Sequence, residues 1–202
     1  MKTRWPGVLR RGRGVVKTLL LASMLLSPGA VFALELGEVM DQIRVEPPSR
    51  TAFREERFNP LLQDPLVLTG YLEYPEPGHL VKVVETPFHE SMEVDGDQVE
   101  ISRDGKKRRL SLKNRKPMLV MLQSIESILS GQADALAEHF DTELTGTADN
   151  WQLQLVPRSR RLARHLDSMT VKGNGETVDS ILFQMDNGDW QRLEILPPEP
   201  EP

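Results

Sequence analysis

The chain has 202 residues, with 25 Lys+Arg against 30 Asp+Glu and no cysteine. Zero cysteines exclude disulfides, thiolate metal sites and cysteine nucleophiles together, so the fold must hold by its apolar core. Six of the basic residues and none of the acids lie in the first 33 positions, leaving 19 basic against 30 acidic residues, a net of −11 that argues against nucleic acid as the main partner.

Residues 1–33 read as a cleaved export signal. Lys2, Arg4, Arg10, Arg11, Arg13 and Lys17 form a basic region, followed by the apolar run Leu19–Leu26, broken only by Ser23. That run is far short of the roughly 20 residues a spanning helix needs. Ser27-Pro28-Gly29 then breaks the helix and Val31-Phe32-Ala33 offers the small residues of a cleavage site, which places the mature start at Leu34. Arg10-Arg11 matches the opening of a twin-arginine signal, but Gly12-Arg13-Gly14 stands where an apolar pair is expected, so ordinary secretion fits better. With no cysteine after the apolar run, the protein is not itself a lipoprotein. The expected location is the periplasm.

Leu36, Val39, Met40 and Ile43 recur at helical spacing up to Pro47-Pro48. Alternation then takes over. Strands are expected at Ala52–Phe58 and Leu68–Tyr74, the second with Leu68, Leu72 and Tyr74 on one face and Thr69 and Glu73 on the other. Pro75, Pro77 and Gly78 are expected to turn the chain. Further strands fall at Leu80–Glu85, Glu90–Asp95, Gln98–Ser102 and Arg108–Lys113, parted by turn signals at Asp95-Gly96 and Asp104-Gly105.

The middle of the chain reads as helical. Pro117 suits a first turn, Met118, Leu122, Ile125 and Leu129 form one stripe widened by Met121 and Ile128, and Gly131 suits a cap before a second helix over Gln132–Phe140. Strands resume at Glu143–Thr147, Trp151–Val156, Met169–Lys172, Val178–Met185 and Trp190–Leu196, with a short helix near Ser159–Leu166 and a hairpin tip at Asp186–Asp189. The tail 197–202 is proline- and glutamate-rich and is expected to be disordered. About ten short strands with a few helices give an α+β domain over residues 34–196, a large antiparallel sheet with helices on one face.

No residue pattern points to catalysis. His79, His89, His139 and His165 lack the spacing of a zinc helix, and His89-Glu90 has no second histidine. Asp95-Gly96-Asp97 lacks the further oxygen ligands of a calcium loop. Ser124 and Ser127 lie within a helix, away from any nucleophile-elbow glycines. Neither a metal nor a cofactor is expected. Two basic clusters remain: Arg103, Lys106, Lys107, Arg108 and Arg109, and Arg158, Arg160, Arg161 and Arg164. They read either as solvated surface or as docking points for anionic headgroups or an acidic membrane partner. The inward apolar set reads either as solid core or as a cavity lining.

The stretch Phe53-Arg54-Glu55-Glu56-Arg57, Leu68-Thr69-Gly70-Tyr71-Leu72-Glu73-Tyr74, Pro77-Gly78-His79-Leu80, Pro87, Glu90 and Val94-Asp95-Gly96-Asp97-Gln98-Val99 resembles a divergent branch of the outer-membrane lipoprotein carrier (LolA) family. The likeness extends through the central helices to Trp151–Pro157. It implies a strongly curved antiparallel half-barrel whose helices form a lid over the concave face, and a soluble, monomeric periplasmic carrier that is not an enzyme. The implied cargo is an acylated lipoprotein or other lipid-linked product, passed between membrane-bound donor and acceptor proteins. One departure stands out: the family's lid-latching arginine before the strand-turn proline falls here on Glu76. The alternative is a non-catalytic adaptor subunit of an envelope complex. On the carrier reading the acyl chain meets Met118, Leu122, Ile125 and Leu129 of the lid and Leu72, Tyr74, Met92, Val94, Trp151, Leu153, Leu155 and Phe183 of the floor.

Overall fold

A computed structural model describes residues 34–197. The export-signal reading of 1–33 and the tail from Pro198 onward lie outside the described residues. Helix α1 (Leu36–Gln42) is followed by six strands in succession: β1 (Ser49–Phe58), β2 (Leu66–Glu76), β3 (His79–Thr86), β4 (Glu90–Asp95), β5 (Gln98–Arg103) and β6 (Lys106–Ser111). Two helices follow, α2 (Lys116–Leu129) and α3 (Ala133–His139). Five more strands, β7 (Phe140–Thr147), β8 (Asn150–Pro157), β9 (Ser168–Asn174), β10 (Thr177–Gln184) and β11 (Trp190–Ile195), complete the fold, with α4 (Arg160–Ala163) between β8 and β9.

All eleven strands form one antiparallel sheet in the order β6-β5-β4-β3-β2-β1-β11-β10-β9-β8-β7, open at both edges and not closed into a barrel. Each half is a meander of sequence neighbours. The halves meet at a single seam, where β1 pairs with β11 and Phe53 opposes Ile195. Directly opposed residues share a face, so one continuous face can be followed across the molecule. One row runs Leu110, Val99, Val94, Leu80. Another crosses the seam, running Leu68, Glu55, Leu193, Ile181, Val171, Leu153, Leu144. The opposite face is polar, with Arg54 bonded to Glu56 and Glu194, and Lys107 and Arg109 both on Glu100.

The apolar face buries three clusters. The largest joins Val39 and Met40 of α1, Ile128 of α2 and Leu136 of α3 to Trp151, Leu153, Leu155, Met169, Val171, Ile181 and Phe183 of β8–β10. A central cluster holds Phe53, Leu68 and Val84. The third packs Leu119 and Leu122 of α2 on Val94, Val99 and Leu112. Helix α2 thus serves both halves of the sheet.

Several boundaries differ from those expected. Strand β2 runs through Pro75 to Glu76 instead of turning there, because an irregularity between Glu73 and Glu76 relieves the proline of a ladder bond it cannot donate. Strand β6 begins at Lys106, two residues before the alternation suggests, since its first basic residues are held by β5 opposite. On α2 the buried residues are Ser124, Ser127 and Ile128, while Leu122, Ile125 and Leu129 of the expected stripe are half-buried and Met118 is exposed. The serine hydroxyls donate to the Val120 and Gln123 carbonyls at 2.7 and 2.8 Å, so they enter the interior already satisfied.

Candidate functional site

The strand alternation that sends Leu72 and Tyr74 inward from β2, and Met92 and Val94 inward from β4, builds the floor beneath the first half of α2. Between them lies a crevice of about 350 Å³, lined by Gly78, Leu80, Val94, Gly96, Asp97, Leu119, Leu122, Gln123 and Glu126. Its walls are mostly apolar and its rim carries the two turns at Gly78 and Gly96. That volume lies at the small end of ligand sites, which span roughly 300–1,000 Å³.

Glu126 ties the helix to the floor. The Tyr74 hydroxyl donates to Glu126 Oε1 at 2.8 Å, and the Gly78 backbone N–H donates to the same oxygen at 3.0 Å. Tyr74 is only 4% exposed. Burial, together with the bond to the Glu126 carboxylate, pushes its phenol up to about 12. The second carboxylate oxygen, Oε2, is buried and takes no hydrogen bond among the described residues. An unpartnered buried acceptor costs free energy, so the crevice favours any donor that reaches it. Glu76, where the resemblance puts a latching arginine, is exposed and lies 3.8 Å from His79 Nδ1. The tie between helix and sheet lies two residues upstream of it, with a donor on the sheet and an acceptor on the helix.

A charged group sits at the centre of the same face. Glu55, 2% exposed, accepts from Arg57 Nε at 2.9 Å and pairs with Lys82 Nζ across β2. Burial pulls the Lys82 ammonium below its usual range, with Glu55 pulling the other way. Lys82 also stands 4.8 Å over the Phe53 ring. These ions divide the crevice side of the face from the large β8–β10 cluster.

Ten of the twelve expected contact residues are brought to this one face, but not to one cavity. Val94 and Leu122 line the crevice, Met92 packs beside them, and Tyr74 supplies the tie. Leu72 packs on the central cluster, while Ile125, Trp151, Leu153, Leu155 and Phe183 belong to the large one. Leu129 is half-buried at the end of α2, where its carbonyl accepts from Val45 N–H at 2.8 Å, and Met118 stands 45% exposed on the first turn. Of the crevice lining, the expected contact set held only Val94 and Leu122; it missed Gly78, Leu80, Gly96, Asp97, Leu119, Gln123 and Glu126. The signal for Glu126 was present: it lies one helical turn beyond Leu122 on the stripe, an acid at an inward position.

Residues 28–196 match the family described as outer membrane lipoprotein carrier protein LolA-like. No curated protein sequence matches the chain. Among solved structures, it is similar to a LolA superfamily protein from Nitrosomonas europaea at 9% identity and a TM-score of 0.43, over 82% of this chain and 93% of that one. The MucA/MucB complex of Pseudomonas aeruginosa gives 13% identity and a TM-score of 0.40, the match covering 82% of this chain and 59% of the other. LprF from Mycobacterium bovis gives 8% identity and a TM-score of 0.35, over 80% and 91% of the two chains.

Proposed function

The chain belongs to the LolA-like family of outer membrane lipoprotein carrier proteins, and from this premise we propose that it carries acylated cargo, a lipoprotein or a lipid-linked product, through the periplasm between membrane-bound donor and acceptor proteins. One observation supports this most: an apolar crevice opens between a lid helix and a long apolar sheet face, and a single carboxylate on that helix makes the polar tie. Hiding an acyl chain from water is worth about 0.8 kcal/mol per CH₂, so such cargo needs a soluble host. The crevice holds little as it stands. Lifting α2 away from the sheet would uncover Leu119, Leu122 and the floor around Val94 and Val99, and would trade the two hydrogen bonds to Glu126 for a broad apolar surface. Placement in the periplasm rests on the signal-like pattern of residues 1–33, and fractionation of cells making the full chain checks it.

The adaptor reading draws on a different observation: Trp151, Leu153, Leu155 and Phe183 are closely packed, as in a solid core. Mass spectrometry of gently purified protein, beside uptake of a fluorescent fatty acid, separates the two. Co-purified lipid and saturable uptake are expected of a carrier. Reproducible absence of both would leave the adaptor reading in place.

A further inference from the structure

We infer that Glu126 reads the head of the cargo, so that the crevice takes an apolar chain bearing an N–H donor, an amine or a carboxamide, in preference to one ending in a free carboxylate. The inference deepens the carrier reading of this crevice and rests on it. Leu119, Leu122 and Glu126 succeed one another on a single stripe of α2, three and then four residues apart. Leu80 and Val94 pack with the two leucines from the sheet. A chain lying along that stripe has aliphatic side chains on both sides and a carboxylate at its end.

The carboxylate is set in place before any ligand arrives. Its Oε1 accepts from the Tyr74 hydroxyl at 2.8 Å and from the Gly78 N–H at 3.0 Å, which fixes the orientation of the group. Oε2 is the acceptor left over, buried and without a hydrogen bond among the described residues. Leaving a buried charged acceptor unmet is costly, and an N–H donated to a carboxylate is about twice as strong as a neutral hydrogen bond. The other acid of the lining is already engaged: Asp97 Oδ2 lies 3.7 Å from Lys113 Nζ and accepts from the Ser111 hydroxyl at 3.5 Å, and its Oδ1 accepts from Gln98 Nε2 at 3.3 Å. Two acids and, among the described residues, no Lys, Arg or His line the crevice. A free carboxylate head would therefore enter against like charge, with no cation on the walls to hold it.

Four probes that share one decyl chain test this in calorimetric titrations of the purified, delipidated protein at neutral pH: decylamine, decanamide, decyltrimethylammonium and decanoate. The amine and the amide are expected to bind about tenfold or more tighter than decanoate. The trimethylammonium ion, which has the charge but no N–H, should fall about fivefold or more below the amine. Glu126→Gln keeps an acceptor oxygen for Tyr74 and Gly78 and puts an amide donor where Oε2 stood, so in that variant decanoate should outbind decylamine. Melting curves show whether the variant folds, and the wild-type series decides by itself if it does not. Equal affinity for all four probes, trimethylammonium matching the amine, or an unchanged preference in folded Glu126→Gln overturns the inference and leaves the carrier reading standing. Binding of none of the four, together with no uptake of the fluorescent fatty acid, removes both.

Discussion

Tyr74 of β2 and Glu126 of α2, 52 positions apart, meet through a 2.8 Å hydrogen bond that fastens the lid helix to the sheet. The acceptor is a carboxylate, and hydrogen bonds to charged groups are worth about 1.5–3 kcal/mol. The bond is thus strong enough to hold a helix in place and weak enough to release it against a gain in buried apolar surface.

Removing the donor should free the helix before it unfolds the protein. Tyr74→Phe is expected to cost about 2 kcal/mol in denaturant melts and to raise amide hydrogen exchange along α2 more than in β8–β10. Uniform exchange across the fold would show that the tie is an ordinary core contact.

The same tyrosine should make stability fall at high pH. Its phenol ionises near 10 when unfolded and at about 12 when folded, so the folded state holds the proton more tightly. The contribution is complete below pH 10 and is lost as pH rises through 12, up to about 3 kcal/mol. Melting temperatures across that range should drop in the wild type, and Tyr74→Phe should remove that component. The phenolate absorbance lost in the variant should titrate near 12.

Lys82→Met takes one of two cations from the buried Glu55 carboxylate, leaving Arg57 alone to hold it. A loss of about 3 kcal/mol is expected by chemical denaturation. The double change Lys82→Met with Glu55→Leu should recover part of that loss, since the carboxylate that suffers is then gone. No recovery would mean that Lys82 stabilises by its contact with Phe53 instead.

Gly70 lies where β3 approaches most closely: a Cβ built there would overlap the Val83 carbonyl, a backbone group that cannot swing aside. The position also opposes Phe53, fully buried at the seam. Gly70→Ala should therefore destabilise by about 3 kcal/mol, where an exposed strand glycine would gain from the change. Equilibrium unfolding decides.

Leu122→Glu and Leu153→Glu should behave differently. Leu122 is half-buried on the crevice wall, so water can reach the new carboxylate, and the variant should melt close to wild type while losing fatty-acid uptake. Leu153 lies within the closed β8–β10 cluster, where an unpaired charge costs several kcal/mol. Its melting transition should collapse. Collapse in both would mean that the crevice is core.

What alternation controls was legible in the sequence. The face shared by Leu68, Leu72 and Tyr74, the bounds of Glu90–Asp95, the hairpin tips and Pro117 at the start of the central helix all follow from local chemistry. What depends on distant partners was not. The strand through Pro75 needs the irregularity with β3, and the inward serines of α2 become apolar only by bonding their own helix. The Glu55–Lys82 pair joins residues 27 positions apart. Its one local sign was parity: Glu55 and Arg57 alternate inward with Phe53, where charges have no reason to be unless they meet a counter-ion.

The seam between β1 and β11 also fixes an order of assembly. Within each meander every strand pairs with a neighbour in sequence, so each can form by closing short loops. Arg54 and Glu194, which meet across the seam, are separated by 140 positions. The entropy of closing so long a loop must be spent before the pairing returns any contact. The two meanders are then expected to form early, the seam to zip last, and α2, which packs on both, to become a lid only once the halves have joined.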